Sequence, residues 1–222
     1  GFNRHSLGIQ DFNEEVQKSV NRMQSTDEVQ ALVDAARNAG FGSISFDLIY
    51  GLPHQTVESF DATLNTVIDM KPDRLAVYNY AHLPQRFKGQ RMINADDIPA
   101  PETKLDLLHH TIDKLCDVGY VYIGMDHFAL PDDELVLARE NGTLQRNFQG
   151  YSTHAECDLI GLGITSIGMV GPTYSQNLKS LEDYYAVIDQ GLLHVFRGLR
   201  LTRDDEIRRD VITGLICNFK LN

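Results

Sequence analysis

The chain has 222 residues, 42% of them hydrophobic, and a formal net charge of −11 from 31 acidic and 20 basic side chains. This length and apolar content can build a substantial core and argue against disorder. The acidic balance argues against nucleic acid as a partner, because phosphate binding needs a basic surface. The three cysteines have no metal-ligand spacing, which predicts reduced thiols in a cytoplasmic protein. No apolar run approaches transmembrane length, so we expect no membrane partner.

Three runs of alternating apolar residues predict β-strands in the first part of the chain. They cover residues 5–10, 43–50 and 74–81. Between the first two runs, Ser25 and Glu28 have the spacing of a helix capping box. Thr56 can cap a helix after the second run, and Pro72 would end that helix. Strands that are joined through helices form parallel βαβ units.

The regular alternation of strands and helices stops after residue 84. A polar loop is expected to reach Pro101, where a helix begins and continues to Gly119. The later predicted elements are a strand over 120–123, helices over 132–140, 178–190 and 203–218, and a loop over 146–153. The expected fold class is therefore α/β, with an incomplete parallel (β/α) barrel of three strands in residues 1–84. A mostly helical α+β region is expected in residues 85–222.

The three predicted strands carry polar or small side chains where a packed barrel would carry bulky ones. The interior of a closed parallel barrel is normally filled by Val, Ile and Leu. By period-two alternation, the predicted open face consists of Ser6, Gly8, Gln10, Ser45, Asp47, Asn79 and Ala81, the last two sharing a face with Val77. Such a face leaves room for a ligand inside the barrel.

Three residues near the ends of these strands are candidates for ligand binding. Asp47 could accept hydrogen bonds from a ribose diol, and Gln10 could share that diol from the adjacent strand. Arg22 could pair bidentately with a carboxylate. Each has a purely structural alternative. Asp47 could be hydrogen-bonded by a neighbouring arginine or backbone group, Gln10 could simply fill the barrel interior, and Arg22 could be a surface charge.

Asp126 and His127 directly follow a predicted strand and could relay or donate protons. The structural alternative is a buried, hydrogen-bonded pair. His109 and His110 lack the second pair of ligands that a zinc site needs, so no metal-ligating residue is predicted.

Six motifs in series resemble one enzyme family along the whole chain. They lie at residues 7–13, 46–53, 80–84, 124–129, 146–151 and 208–218. Together they resemble bacterial oxygen-independent coproporphyrinogen III oxidase, a radical S-adenosylmethionine (SAM) enzyme of haem biosynthesis. The resemblance implies a radical-SAM-type barrel, of which residues 1–84 would be the last three strands, and a substrate-covering region in residues 85–222. It further implies SAM contacts at Gln10, Arg22, Asp47, Ala81 and Ile167.

The family binds a 4Fe-4S cluster through a Cys-x-x-x-Cys-x-x-Cys motif, which is absent from these 222 residues. The chain is therefore expected to be a fragment that begins inside the catalytic barrel and is inactive by itself. Its open strand edge before residue 5 is expected either to make it less stable than the whole protein or to promote self-association. In the family, a SAM-derived radical abstracts hydrogen from a propionate, and loss of CO2 leaves a vinyl group, which converts coproporphyrinogen III to protoporphyrinogen IX.

The substrate implied by the resemblance carries four carboxylates, so arginine side chains are natural contacts. Arg146 is the first choice, with Asp126 and His127 as further substrate contacts. Two alternatives remain open: a haem chaperone built on the radical SAM scaffold, and a clusterless binding module. The motifs at 124–129 and 146–151 favour the oxidase over the chaperone.

Overall fold

The computed structural model describes residues 3–148, 150–154 and 157–221. Its contacts divide the chain into two compact units, Gly1–Leu137 and Ala138–Asn222. Each unit has strands and helices of its own. Within the described part of the chain, no helix is both long and apolar enough to cross a membrane.

The first unit is built on a five-stranded sheet. Its strands are β1 (Arg4–Gln10), β2 (Ser43–Tyr50), β3 (Arg74–Asn79), β4 (Val121–Gly124) and β5 (His127–Ala129). Their order across the sheet is β1-β2-β3-β5-β4. The first three strands are parallel, as the sequence predicted, whereas β5 runs antiparallel to β3 and β4.

Four helices of the first unit connect or flank these strands: α1 (Glu14–Ser19), α2 (Thr26–Asn38), α3 (Val57–Met70) and α4 (Pro101–Asp117). The predicted capping box of Ser25 and Glu28 is present at the start of α2. Thr56 caps α3 as predicted, and α3 ends at Met70, followed by the C-cap Lys71, whose left-handed backbone (φ 52°) precedes Pro72. These caps satisfy backbone N–H groups that have no partner inside the helix.

The core of the first unit lies on one face of the sheet. Ile44, Phe46 and Leu48 of β2 are fully buried there. They pack in one cluster with Phe60 and Leu64 of α3. The alternate residues of β2, among them Asp47, lie on the opposite and less buried face. Strand alternation thus separates an apolar core face from a polar face.

The second unit contains five short strands and two complete helices within the residues that the structure describes. These elements are β6 (Gln145–Asn147), β7 (Gly150–Ser152), β8 (Ile167–Val170), β9 (Thr173–Asn177), β10 (Val195–Arg200), α6 (Leu181–Asp189) and α7 (Arg203–Asn218). A further helix, α5 (Glu134–Glu140), spans the boundary between the units. β8, β9 and β10 form an antiparallel sheet, and β6 pairs with β7 in a hairpin.

Three features of the chain after residue 84 differ from the sequence prediction. The predicted loop over 146–153 is the β6–β7 hairpin, and several more short strands occur where the sequence indicated a single one. Strands of three to six residues are too short to show a clear period-two pattern. The first compact unit also extends past the predicted boundary at 84/85, because β5 pairs with β3.

A buried carboxylate connects the carboxyl ends of β1 and β2 to α3. Asp11 is 1% exposed, and its Oδ1 accepts hydrogen bonds from Thr63 Oγ1 (2.5 Å) and Asn13 N (2.7 Å). Its Oδ2 accepts from Gln55 Nε2 at 2.5 Å. Gln55 is itself held in place, because its Oε1 accepts from Gly51 N at 2.5 Å. Burial nevertheless raises the pKa of Asp11, against the lowering effect of these hydrogen bonds.

We predict that Asp11→Asn destabilises the protein by about 1–3 kcal/mol, the usual cost of an unsatisfied buried polar group. An asparagine has a single acceptor oxygen, so its NH2 group would face either the Gln55 amide or the Thr63 hydroxyl. Chemical denaturation measures the change in the free energy of unfolding. Asp69→Asn, at an exposed position of α3, is the control and should change stability little. Equal stability of Asp11→Asn and wild type would contradict the prediction.

We also predict that the 222-residue chain self-associates through β1, which is an edge strand of its sheet. An uncovered edge presents unpaired N–H and C=O groups to another chain. Light scattering coupled to size-exclusion chromatography should show a mass that increases with protein concentration. A monomer mass at every concentration would contradict this prediction.

Candidate functional site

The polar face of the first unit's sheet carries a row of four residues, one from each of four neighbouring strands. Gly8 of β1 pairs with Asp47 of β2, and Asp47 pairs with Ala76 of β3. Ala76 in turn pairs with His127 of β5. The small residues Gly8 and Ala76 flank Asp47, so neither neighbouring strand places a bulky side chain directly beside its carboxylate.

Gln10 joins this row through a break in the strand. The pairing of β1 with β2 shifts between Gly8 and Gln10, and Gln10 has a left-handed backbone (φ 66°). A Cβ atom added to Gly8 would lie 2.8 Å from Gln10 Nε2 and 2.9 Å from Arg22 Nη2. Arg22 Nη2 donates a hydrogen bond to Gly8 O at 2.8 Å. Gln10 and Arg22 therefore meet above Gly8, next to Asp47, and only a glycine at position 8 permits this approach.

The Asp47 carboxylate is partly withdrawn from water. Ser6 Oγ donates a hydrogen bond to its Oδ2 at 3.1 Å. Burial raises the pKa of Asp47, while the hydrogen bond from Ser6 and the nearby imidazole of His127 act to lower it. Asp47 is therefore held on a strand of the sheet, and its carboxylate oxygens can accept further hydrogen bonds in addition to the one from Ser6.

Asp126 and His127 are presented by a tight turn between β4 and β5. Met125 (φ 44°) and Asp126 (φ 70°) both have positive φ, as in the two-residue turns of twisted hairpins. His127 Nδ1 lies 2.6 Å from Met125 O. The His127 ring also contacts the Tyr78 ring edge-on, with centroids 5.8 Å apart. The turn thus places His127 at the end of the row that contains Asp47.

The sequence assigned the wrong residues of β3 to the open face. Asn79 and Ala81 were expected there together with Val77, but Val77 is fully buried and pairs with Leu48 on the core side. Ala76 and Tyr78 share the face of Asp47 instead. The error arises because residues 75–77 are all buried, so alternation within β3 does not show which side faces the core. The register of β3 against β2 shows the correct face, because Ala76 pairs with Asp47 and Tyr78, two residues later, lies on the same side of the strand.

Ala81 lies after the end of β3, in an exposed loop. Its carbonyl oxygen accepts a hydrogen bond from Gln90 Nε2 at 3.0 Å. Gln90 Oε1 also accepts from Leu83 N at 2.5 Å. One side-chain amide therefore holds two backbone groups of this loop, and the position of Ala81 depends on that bridge.

The remaining predicted site residues belong to the second unit. Ile167 is the first residue of β8 and is partly buried. Arg146 lies in β6, with its guanidinium 4.9 Å from the centre of the Tyr151 ring. The structure therefore brings Gln10, Arg22, Asp47, Asp126 and His127 into one unit, whereas Ile167 and Arg146 occupy the other. Among the described residues, no group of three or more His, Cys, Asp or Glu side chains is placed to hold a metal ion.

The comparison with protein families first defines a class. Residues 1–67, which include β1, β2 and most of α3, match the model of the Radical SAM superfamily. The parallel α/β arrangement with a polar face on β1 and β2 is the part of the fold that this match covers.

Individual relatives then define the family. The chain is 58% identical over 221 residues to an oxygen-independent coproporphyrinogen III oxidase of Pseudomonas aeruginosa, covering 100% of this chain and 48% of that protein. It is 45% identical to the protein of that name from Thermostichus vulcanus, covering 100% of this chain and 69% of the relative. The chain belongs to the oxygen-independent coproporphyrinogen III oxidase family, which confirms the resemblance seen in its motifs.

A solved structure agrees with this assignment. Coproporphyrinogen III oxidase from Escherichia coli, described as a radical SAM enzyme, superposes with a TM-score of 0.96 at 55% identity. The superposition covers 100% of this chain and 51% of that chain. The chain thus spans about half the length of the curated relatives from P. aeruginosa and E. coli.

We predict that Ser6→Ala raises the pKa of Asp47 further above its ordinary value. The hydrogen bond from Ser6 stabilises the ionised carboxylate and so lowers the pKa of Asp47. Without this hydrogen bond, less opposes the raising effect of burial on the pKa. A pH titration of the Asp47 carboxyl carbon by NMR measures the change.

Ser45→Ala is the matched control, since Ser45 lies on the same face of β2 two residues before Asp47. An unchanged Asp47 pKa in Ser6→Ala, or an equal change in Ser45→Ala, would contradict the assigned role of Ser6.

Proposed function

We propose that this chain forms part of a cytoplasmic enzyme of haem biosynthesis that oxidatively decarboxylates two propionates of coproporphyrinogen III. The products are two vinyl groups and CO2, and the tetrapyrrole product is protoporphyrinogen IX. Family membership supports this proposal, and so does the row on the polar face, where Gln10 and Arg22 meet beside Asp47. That row is the observation on which the proposal mainly rests.

The chemistry of the row fits SAM. A carboxylate on a strand can accept hydrogen bonds from both hydroxyls of a ribose, which is the role we propose for Asp47. Gln10, with both a donor and an acceptor, would complete the contacts to the diol. Arg22 would pair with the methionine carboxylate of SAM. Gly8 gives these groups close access to one another, because a Cβ there would fill the space.

Two further SAM contacts are proposed from the family resemblance. Ala81 would contact SAM from the loop that Gln90 holds. Ile167 would supply an apolar contact from β8. We likewise propose Asp126, His127 and Arg146 as contacts to the substrate.

The cofactors carry the bond-breaking chemistry. When bound, SAM and a 4Fe-4S cluster supply reductive radical chemistry at a propionate C–H bond, while the protein binds, orients and excludes water. The three cysteines of these 222 residues do not have the spacing of the family's cluster motif. We therefore propose that the cluster is held by polypeptide outside these 222 residues, and that the chain by itself does not turn over substrate.

We further propose that β1, β2 and β3 are part of a radical-SAM-type barrel. Three parallel strands are too few to close a barrel, and β1 is at the edge of its sheet. Additional parallel strands would pair at that edge in the whole protein, whose relatives are about twice as long as this chain.

The test uses the intact protein, purified anaerobically with its cluster reconstituted. Asp47→Ala should weaken SAM binding by about 10- to 100-fold, since hydrogen bonds to a charged group contribute roughly 1.5–3 kcal/mol. The amount of protoporphyrinogen IX formed, measured by fluorescence after oxidation, should also decrease. Asp69→Ala is the control, at an exposed position of α3 away from the polar face.

Two outcomes would count against the proposal. Wild-type protein that forms no product but binds haem tightly would favour a haem chaperone. If Asp47→Ala bound SAM with normal affinity, the polar face of β2 would not be part of the SAM site.

A further inference from the structure

A lysine of α4 reaches the carboxyl ends of two strands of the first unit's sheet. Lys104 lies near the start of α4, and its ammonium donates a hydrogen bond to Tyr80 O at 3.2 Å. The same ammonium lies 5.9 Å from the centre of the Tyr80 ring. Tyr80 directly follows β3. Ligands of parallel sheets bind at the carboxyl ends of the strands, so Lys104 acts on the backbone at that end.

The path of the lysine side chain depends on a glycine after β2. A Cβ atom added to Gly51 would lie 2.8 Å from Lys104 Cε and 3.0 Å from Lys104 Cδ. Gly51 is buried and has φ 80°, a backbone that other residues rarely adopt. The aliphatic part of Lys104 therefore fills the space that a side chain at position 51 would take. This packing directs the ammonium toward Tyr80.

Three contacts hold Tyr80 in place. Its N–H donates to Tyr50 O at 2.8 Å, which extends the contact between β2 and β3 by one residue. Its carbonyl oxygen accepts from Lys104, and its hydroxyl lies 3.2 Å from His82 Nδ1. Because a peptide bond is planar, fixing Tyr80 O also fixes the direction of the Ala81 N–H, which belongs to the same peptide group.

The two peptide groups that flank Ala81 are held by different side chains. Gln90, in a short 3-10 helix over residues 88–92, donates to Ala81 O at 3.0 Å. Lys104 holds the preceding peptide group from α4, a helix whose Leu107 and Leu115 are fully buried in the core of the first unit. Lys104 therefore connects the peptide group before Ala81 to a packed element.

We propose that Lys104 is a positioning residue of the SAM site, which holds the peptide group between Tyr80 and Ala81 in the orientation that SAM contacts. The inference rests on the proposed function for the identity of the ligand and for the contact at Ala81. Lys104 acts through the backbone of Tyr80 rather than by touching SAM. A backbone group that is already fixed loses less freedom when the ligand binds, which increases affinity.

The experiment measures the SAM affinity of the intact protein by equilibrium dialysis, after anaerobic purification and reconstitution of the cluster. Lys104→Met keeps the aliphatic stem beside Gly51 and removes the ammonium. It should weaken SAM binding by about 10-fold, the lower end of the effect of a hydrogen bond to a charged group. Lys104→Arg retains a charged donor and should restore part of the affinity.

Lys114→Met is the matched control. Lys114 lies on the same helix, and its ammonium pairs with Asp61 of α3 instead of with a backbone group after β3. This variant should lose stability without losing SAM affinity. An equal loss of SAM affinity in Lys104→Met and Lys114→Met would reflect general destabilisation and would overturn the positioning role.

Amide hydrogen exchange of residues 78–84 is a second readout, and it needs no ligand. Without SAM, Lys104→Met should exchange faster in this segment than wild type, because the peptide group after Tyr80 gains freedom. Weaker SAM binding with unchanged exchange would mean that Lys104 contacts SAM directly, which would overturn the positioning role. Faster exchange with unchanged SAM affinity would overturn it as well.

The result can be separated from that of the proposed function. If the wild-type protein forms protoporphyrinogen IX and Lys104→Met binds SAM normally, the positioning role is wrong and the oxidase stands. If the wild-type protein forms no product but binds SAM with an affinity that depends on Lys104, the positioning role is supported and the oxidase is contradicted.

Discussion

The buried carboxylate of Asp11 is the interaction on which the first unit most depends. It joins the end of β1 to α3 through Thr63 and to the turn after β2 through Gln55. Gln10, the neighbour of Asp11, projects toward the polar face from a left-handed backbone. The same network therefore stabilises the core side of the sheet and fixes the bulge that delivers Gln10 to the candidate site. A carboxylate is suited to this task because its two oxygens accept from several donors at once.

The candidate SAM site is rigid because most of it is built on strands. Asp47 lies in the middle of a sheet whose other face is the apolar core, so its position is set by the packing of β2. Arg22 and Ala81 lie outside the strands. Arg22 is held by its hydrogen bond to Gly8 O, and the loop of Ala81 is held by the Gln90 amide. Positioning groups on packed elements gives a site the precision that cofactor chemistry requires.

The second unit is organised differently, around short strands and an exposed helix. All residues of β10 are exposed, and Cys217 is the one residue of α7 that is buried. Arg146 of β6 is partly buried in this unit, and its guanidinium stacks on the ring of Tyr151.

Much of the fold is local and could be predicted from the sequence. Alternation in β2 and the caps of Ser25 and Thr56 depend on neighbouring residues alone, so β2, α2 and α3 were located correctly, whereas β5 was missed. The long motifs also carried the family assignment. Tertiary structure alone decided the face of β3, since three consecutive buried residues hide its alternation. It also decided the bulge at Gln10 and the pairing of Ala76 with His127, because strand register depends on residues far apart in the chain.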